Sequence, residues 1–350
     1  MPLRVAWLDS LKGLGILLVV CGHQYLPPAL HQWIYSFHVP LFFFISGCLF
    51  DASRYAGQAA YARRRSRTIL VPYVVFGLAT WLLWAAVRRP FGASHNVAIP
   101  LWKPLLGLLY GNATGDWLIF DSPLWFLPCI FVAANLFFWI HAHAKGGVAG
   151  ALCLFASAAV GAVVVGYQPF PAPWGADLAL SAAVFFGAGY CLRPALDRAM
   201  TAAPWLIFAA AAVALAAANL ALSWRNGPVD MNSRSFGNPV VFYAAAFAGI
   251  GCWLAISRLL PPTRALAWLG RNTLVILAFH RPAGSLVEHV LGRRLWSLPF
   301  LSYSALLSWS AFHAAAAVVL CAPIAFAVNR YFPFVLGRRH VADIRREAKE

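Results

Sequence analysis

Long apolar stretches separated by short polar segments run along almost the whole chain. Stretches of about 20 apolar residues, set off by charged residues, prolines and glycines, are typical of membrane-spanning helices. The pattern predicts ten spans, at residues 8–26, 33–50, 69–87, 123–140, 148–166, 177–192, 204–222, 238–257, 266–280 and 303–329. A further stretch, 101–111, is too short to cross and is predicted to lie at the interface. The sequence therefore predicts an all-α integral membrane protein, a bundle of about ten transmembrane helices.

The composition agrees with a membrane protein and excludes most soluble classes. Of the 350 residues, 61% are hydrophobic and 11% are charged, against about 25% charged in a typical soluble domain. The net charge of +16 does not indicate nucleic-acid binding, because no soluble basic domain is present. Membrane lipid is the expected partner of the basic residues. The cysteines lie in apolar runs without a CxxC pair, so we expect neither disulfides nor a metal site.

The distribution of basic residues sets the predicted orientation. With the N-terminus inside, Arg4, the basic run 63–67 and the basic C-terminus fall on one side, and fewer basic residues fall in the outer loops. The positive-inside rule then places both termini in the cytoplasm. The expected location is the cell (inner) membrane, crossed many times. The oligomeric state does not follow from the sequence.

The first span carries a polar stripe in its sequence DSLKGLGILLVVCGH, residues 9–23. The interval between Lys12 and His23 places them on one helix face, with about 16 Å of rise between them. Asp9 lies one turn before Lys12, close enough to pair with it. Because polar groups in hydrocarbon are costly, this face is expected to line a bundle interior or a water-filled cavity.

Other spans bring polar side chains to the same two depths. Under the predicted topology the outer half holds His23 together with His38, Trp125, Asn238 and His280. The cytoplasmic half holds Lys12 together with Arg63, Arg64, Arg65, Arg67, Arg271 and Asn272. The outer end therefore suits proton chemistry, and the inner end suits the binding of an anion.

Most of these residues also have a purely structural interpretation. A single histidine within a span often only packs or caps, and this applies to His38 and His280. The run RRRSR is typical of a stop-transfer segment at lipid headgroups, and belt tryptophans occur where Trp125 lies. Arg271 and its neighbour could simply cap a helix. His23 is explained least well in this way, because it shares a face with a lysine.

Several segments occur in a fixed order between residue 7 and about residue 280: WLDSLKGLGILLVVCGH, SFHVPLFFFISGCLF, RRRSRTILVPY, LWFL and WLGRNTLVILAFH. Together they resemble the membrane-bound acyltransferase 3 family, in particular its fucose 4-O-acetylase-like branch. Lys12 and His23 match the basic-x10-His pattern of the family's first helix, with lysine where many members have arginine. Lysine lacks the bidentate fork of arginine, so its role can differ. The resemblance implies an acyltransferase 3-type transmembrane domain at 1–336, followed by a basic cytoplasmic tail at 337–350.

The resemblance implies transfer of an acyl group, usually acetyl, from cytoplasmic acyl-coenzyme A to a hydroxyl of a sugar or cell-surface glycan. His23 takes the catalytic position, Lys12 the paired basic position, and His38 matches the histidine of an FH-P-FFF element. Acetyl-CoA is the expected donor, with no metal. Its phosphates are expected at Arg63, Arg64, Arg65, Arg67, Arg271 and Asn272, and the acceptor is expected at Trp125, Asn238 and His280.

The chemistry expected of His23 leaves two routes open. The imidazole takes the proton of the acceptor hydroxyl during direct attack on the thioester, or it forms an acetyl-histidine intermediate. No acid that orients His23 is evident, and Asp121 is only a candidate. The outer loops, mainly 88–122, 223–237 and 281–302, are expected to select the acceptor.

A transporter or flippase for a glycan, lipid or small solute is the alternative from another class. Ten spans with intramembrane polar groups fit such a protein, which should also show internal pseudo-symmetry and paired broken helices. The two halves of the chain show no convincing repeat. A non-catalytic scaffold, the third possibility, leaves the stripe on the first span unexplained.

Overall fold

The computed structural model describes residues 6–91, 98–144, 147–167, 170–291 and 302–338. These residues are mostly helical and contain no β-strand, only an isolated antiparallel bridge between Asp230 and Ser235. The helices are α1 (Ala6–Gly22), α2 (Pro28–Tyr35), α3 (His38–Cys48), α4 (Gln58–Arg88), α5 (Trp102–Tyr110), α6 (Phe126–Ala144), α7 (Gly147–Tyr167), α8 (Ala176–Ala202), α9 (Trp205–Asn226), α10 (Pro239–Leu259), α11 (Arg264–Arg271), α12 (Thr273–Leu291) and α13 (Tyr303–Tyr331). The prediction of an all-α protein is confirmed.

Among the described residues, seven helical segments are long and apolar enough to cross a membrane. They correspond to α4, α6, α7, α8, α9, α10 and α13. Large apolar side chains project from their outer faces, such as Phe155 of α7, which is 75% exposed, and Val213 of α9, which is 72% exposed. Lipid tails are the environment that such a surface requires. The chain is therefore a multi-pass membrane protein.

The remaining three predicted spans are helical but do not pass this test of length and composition. Helix α1 has 17 residues. The span predicted at 33–50 is divided at Ser36 and Phe37 into α2 and α3, and the span predicted at 266–280 is divided at Asn272 into α11 and α12. The number of crossings, about ten, stays a prediction. The interfacial stretch 101–111 corresponds to the short helix α5.

The cytoplasmic location of both termini also stays a prediction. Of the basic tail predicted at 337–350, only Gly337 and Arg338 belong to the described residues. The rest of that tail lies outside them, as does Arg4 near the N-terminus.

Helix α1 lies at the centre of the bundle. It contacts α3, α10, α11, α12 and α13, and its Leu11 and Val20 are completely buried. Gly13 permits a close approach to α11, because a Cβ at this position would lie 2.5 Å from the carbonyl oxygen of Leu266. Helix α1 is therefore packed tightly against α11 at this position.

Helices α3 and α8 cross at a pair of glycines. A Cβ on Gly47 would lie 1.8 Å from the carbonyl oxygen of Phe186, and a Cβ on Gly189 would lie 2.0 Å from that of Phe44. Small residues allow helix backbones to approach closely in membranes, where packing replaces the hydrophobic driving force. This crossing fixes α3, and with it the position of the residues near its start.

We expect Gly47→Ala to destabilise the folded protein by about 1–3 kcal/mol, since overpacking a tight contact forces the backbones apart. Gly166→Ala is the matched control, because a Cβ at Gly166 meets no atom within 4 Å and alanine is the better helix former. The measurement is the thermal midpoint of each detergent-solubilised variant, read by size-exclusion chromatography. Equal midpoints for the two variants would contradict the close crossing.

Candidate active site

A cavity with a volume of about 880 Å³ runs beside α1. One face of α1 lines it from end to end, through Leu8, Lys12, Ile16, Val19 and His23. These intervals of three or four residues are those of a single face of an α-helix. Lys12 and His23 therefore open onto the same space, at its two ends.

The His23 end of the cavity gathers aromatic and imidazole rings. The centroid of the His23 ring is 5.0 Å from that of His280 on α12 and 6.3 Å from that of Tyr35 on α2. The Tyr35 ring lies 4.7 Å from His38 at the start of α3. His38 and Trp125 also line the cavity, whereas His280 is buried behind His23 and is not part of the lining.

The three imidazoles share one hydrogen-bond arrangement. In His23, His38 and His280, Nδ1 lies 2.7, 2.9 and 2.9 Å, respectively, from the main-chain carbonyl oxygen four residues earlier. A carbonyl oxygen only accepts, so each Nδ1 carries a proton, and Nε2 of the neutral ring is an acceptor. Nε2 of His23 makes no hydrogen bond within the described part of the chain. This nitrogen therefore keeps a lone pair that can accept a proton at the cavity.

Cations outnumber acids at the Lys12 end of the cavity. Some are paired: Lys12 lies 3.3 Å from Asp9, Arg54 lies 2.7 Å from Asp51, and Arg193 lies 2.5 Å from Asp197. Hydrogen bonds from Ser53 and Arg54 lower the pKa of Asp51, so this acid is ionised and neutralises its partner. The lining also includes Arg65, Arg271 and Arg338. The first two have no carboxylate partner among the described residues, which leaves this end positive.

Of the basic run 63–67, only Arg65 lines the cavity. Arg63, Arg64 and Arg67 are exposed outside it, and Arg64 donates to the carbonyl oxygen of Gly337 at 3.3 Å. A π-helical turn at Ser66–Leu70 follows Arg65 and changes the register of α4. Such turns are rare and often occur at functional sites. Arg63, Arg64 and Arg65 belong to the same regular helical stretch, where successive residues point about 100° apart, so only Arg65 of the three lies on the face that lines the cavity.

Arg271 and Asn272 lie together at the break between α11 and α12. The Asn272 amide donates to Trp268 O at 2.8 Å and accepts from the Asn329 side chain at 2.8 Å. The Arg271 Nε donates to Ala267 O at 2.9 Å. Both residues line the cavity, and Asn272 is also the C-cap of α11. The structural role of Asn272 as a cap is therefore compatible with its position in the cavity lining.

Two further candidates from the sequence, Asn238 and Asp121, also lie outside the cavity lining. Asn238 is exposed and caps α10, accepting from the main-chain N–H groups of Val240 and Val241. Its expected contact with the acceptor is therefore not supported by its position. Asp121 is buried, and neither of its carboxylate oxygens has a hydrogen-bond partner in the described chain. It makes no hydrogen bond to His23, so it does not orient that ring.

Among the cavity-lining residues that were not identified from the sequence are four polar residues near His23: Tyr35, Asp230, Asn232 and Arg281. Arg281 directly follows His280 in the segment FHRP, so a basic residue beside a candidate histidine was a usable signal. Asp230 and Asn232 belong to the segment between α9 and α10, which has no recognisable motif. Only the folded chain brings them to the His23 end.

A helical membrane protein with a cation-rich pocket and a histidine at opposite ends of one cavity is an enzyme candidate with a buried reaction site. The sequence model described as an acyltransferase domain matches residues 5–328, nearly the whole chain. The chain therefore belongs to the acyltransferase 3 family and is a membrane acyltransferase. This favours an enzyme over the transporter or flippase alternative. No curated protein and no solved structure matches the chain.

Water in the cavity can be tested with a hydrophilic thiol reagent. We expect Ser46→Cys to react with methanethiosulfonate ethylammonium, because Ser46 is half-buried in the cavity lining and only a hydrated thiolate reacts. Ser10→Cys is the matched control, since Ser10 is 3% exposed and lies away from the cavity. Peptide mass spectrometry of the labelled membranes locates the adduct. Equal labelling at both positions, or none at residue 46, would contradict a water-filled cavity.

Proposed function

We propose that this chain is an O-acetyltransferase that moves an acetyl group from acetyl-CoA to a hydroxyl of a sugar or cell-surface glycan. The observation that carries the proposal is the single cavity that joins the cation-rich Lys12 end to His23. Transfer from a coenzyme A thioester needs a region that binds phosphate and a group that accepts a proton. The resemblance to the fucose 4-O-acetylase-like branch supports a sugar hydroxyl as the acceptor.

The Lys12 end suits the phosphates of the donor. Arg65 and Arg271 present guanidinium groups without a carboxylate partner in the described chain, and guanidinium binds phosphate oxygens through paired N–H donors. Lys12 forms an ion pair with Asp9. We therefore place it deeper in the cavity than the phosphates, beside the path of the donor. In the predicted orientation this end faces the cytoplasm, so acetyl-CoA enters the cavity from the cytoplasmic side of the inner membrane.

His23 suits the role of general base. Its Nδ1 proton is fixed on a main-chain carbonyl, so Nε2 is the atom that takes the proton of the acceptor hydroxyl. The hydroxyl oxygen forms a bond to the thioester carbonyl carbon as this proton leaves. The carbon–sulfur bond then breaks, and the proton passes from Nε2 to the departing sulfur. The products are the acetyl ester and coenzyme A with a free thiol.

The donors that stabilise the developing oxyanion come from groups other than the histidines. His38 and His280 are acceptors at Nε2 in the arrangement above, so their neutral rings have no proton there to donate. The Trp125 indole N–H and the Arg281 guanidinium are donors that line the same cavity. Preorganised donors of this kind typically contribute most to catalysis of acyl transfer.

Replacing His23 with alanine should reduce acetyl transfer by at least about 10²-fold, because a general base contributes about 10²–10⁴-fold. His143→Ala is the matched control. The Nδ1 of His143 also bonds the carbonyl oxygen four residues earlier, at 2.8 Å, but this histidine is exposed outside the cavity. The measurement is transfer of radiolabelled acetyl from acetyl-CoA to glycan in membranes with equal amounts of each variant. Near wild-type transfer by His23→Ala would overturn the mechanism, and trapped acetyl-enzyme would select the covalent route.

Arg65→Gln and Arg271→Gln should each raise the KM for acetyl-CoA by about tenfold or more, since a hydrogen bond to a charged group is worth about 1.5–3 kcal/mol. Arg198→Gln is the control, because Arg198 is an exposed arginine of α8 outside the cavity. Initial rates at varied acetyl-CoA give KM and kcat for each variant. If the donor KM is unchanged in both cavity variants, the phosphates bind elsewhere.

A further inference from the structure

The segment between α9 and α10 forms part of the cavity wall at the His23 end. Its side chains alternate: Val229 and Met231 are 3% and 2% exposed and belong to the hydrophobic core, whereas Asp230 and Asn232 line the cavity. The segment therefore has an apolar side and a polar side. The apolar face anchors the segment, and the polar face is directed to the space that holds His23.

A buried ion pair fixes this segment to the bundle. Arg234 lies 3.0 Å from Asp177 of α8, with the two side chains only 10% and 0% exposed. The Arg234 guanidinium also donates to the carbonyl oxygens of Val164 and Val165 on α7, at 3.3 and 3.2 Å. Such a pair, with further hydrogen bonds, holds one specific arrangement, because removing either partner leaves a charge buried.

The backbone of the segment is bent sharply at the same arginine. Arg234 has a φ of +63°, a left-handed conformation that is uncommon outside glycine. The bridge between Asp230 and Ser235 closes the turn that contains it. At its base the Asn226 side chain donates to Phe236 O at 2.8 Å. The ion pair, the bridge and this amide together determine where Asp230 and Asn232 point.

Asp230 and Asn232 have hydrogen-bonding capacity left for a ligand. The two Asp230 oxygens accept from the Asn232 main-chain N–H and from the Ser233 hydroxyl, and each oxygen keeps another lone-pair site. The Asn232 side-chain amide makes no hydrogen bond to the described residues. A carboxylate and an amide side by side accept from and donate to neighbouring hydroxyl groups.

Aromatic rings complete this end of the cavity. The His31 and Tyr35 rings stack at 3.9 Å, and Tyr35 and Trp125 line the cavity. Burial lowers the pKa of His31, and the Asp230 carboxylate opposes that shift, so the acid lies near these rings. Aromatic faces with a few directed polar groups are the lining of a small-ligand pocket. A ligand that complements this pocket has adjacent hydroxyl groups on a ring whose face is otherwise apolar.

We propose that Asp230 and Asn232 form the acceptor subsite, where they hold hydroxyl groups of a sugar next to the one that reacts at His23, and that Arg234 and Asp177 hold this subsite in place. The assignment rests on the proposed function, since it concerns the acceptor of the same transfer. Arg234 is a positioning residue, because it contacts the segment and the bundle rather than the ligand.

The test measures donor and acceptor constants separately on the full chain in membrane vesicles. The probes are radiolabelled acetyl-CoA and surface glycan of the source cells from which mild alkali has removed ester-linked acyl groups. We expect Asp230→Asn to raise the apparent KM for this glycan about tenfold, as the loss of a hydrogen bond to a charged group does, with the KM for acetyl-CoA within twofold of wild type. Asn232→Ala should act in the same direction.

Asn135→Ala is the matched control for Asn232→Ala, because Asn135 of α6 lies outside the cavity and its side chain donates to Phe131 O at 2.8 Å. Arg234→Lys keeps the charge opposite Asp177 and should raise the glycan KM with kcat little changed, whereas a merely structural role would lower the amount of active protein and leave both KM values alone. An unchanged glycan KM in Asp230→Asn overturns the subsite while the transferase function stands. A wild-type chain that transfers no label to the glycan overturns the proposed function itself.

Discussion

The organisation of the bundle depends on the placement of an ammonium and an imidazole on one face of an apolar helix. A lysine at the centre of a membrane-spanning helix costs about 2.5–3.5 kcal/mol on insertion scales, less towards the ends. The fold offsets this cost by pairing Lys12 with Asp9 and by opening that face of α1 onto a cavity. A neighbouring face of the helix is packed against α11 through Gly13. The polar stripe and the cavity therefore go together in this fold.

The sequence predicted the helical membrane fold well because apolar length and charge placement carry that information directly. It also indicated which part of the chain was unusual. The spans that hold His23, His38 and His280 are those that the structure shortens or breaks, and only they fail the test for regular membrane helices. Broken helices expose main-chain groups that must be satisfied inside protein. The polar residues of the candidate site therefore lie in the irregular helices of this chain.

The details of the site depended on information that sequence spacing does not contain. The spacing of the run does not show which face of the helix lies against the cavity, so it does not single out Arg65 from the other arginines. In the sequence Asn238 looked equivalent to the other polar residues of the outer half. In the structure its side-chain oxygen accepts hydrogen bonds at the start of α10 and caps that helix. Asp230 comes to the His23 end through a long-range ion pair between Arg234 and Asp177, which no local pattern reveals.

The hydrogen bonds of the histidines determine which groups in the cavity can donate a proton and which can accept one. Because each Nδ1 is committed to a main-chain carbonyl, a cluster of three imidazoles supplies basic nitrogens and no ring donors while the rings are neutral. His280, whose Nε2 is buried without a partner in the described chain, lies against the ring of His23. A proton taken up by His23 is therefore held next to an acceptor ring. Under the proposed mechanism, a cluster arranged in this way suits proton uptake from a hydroxyl, and the tryptophan and arginine that share the cavity stabilise the developing charge.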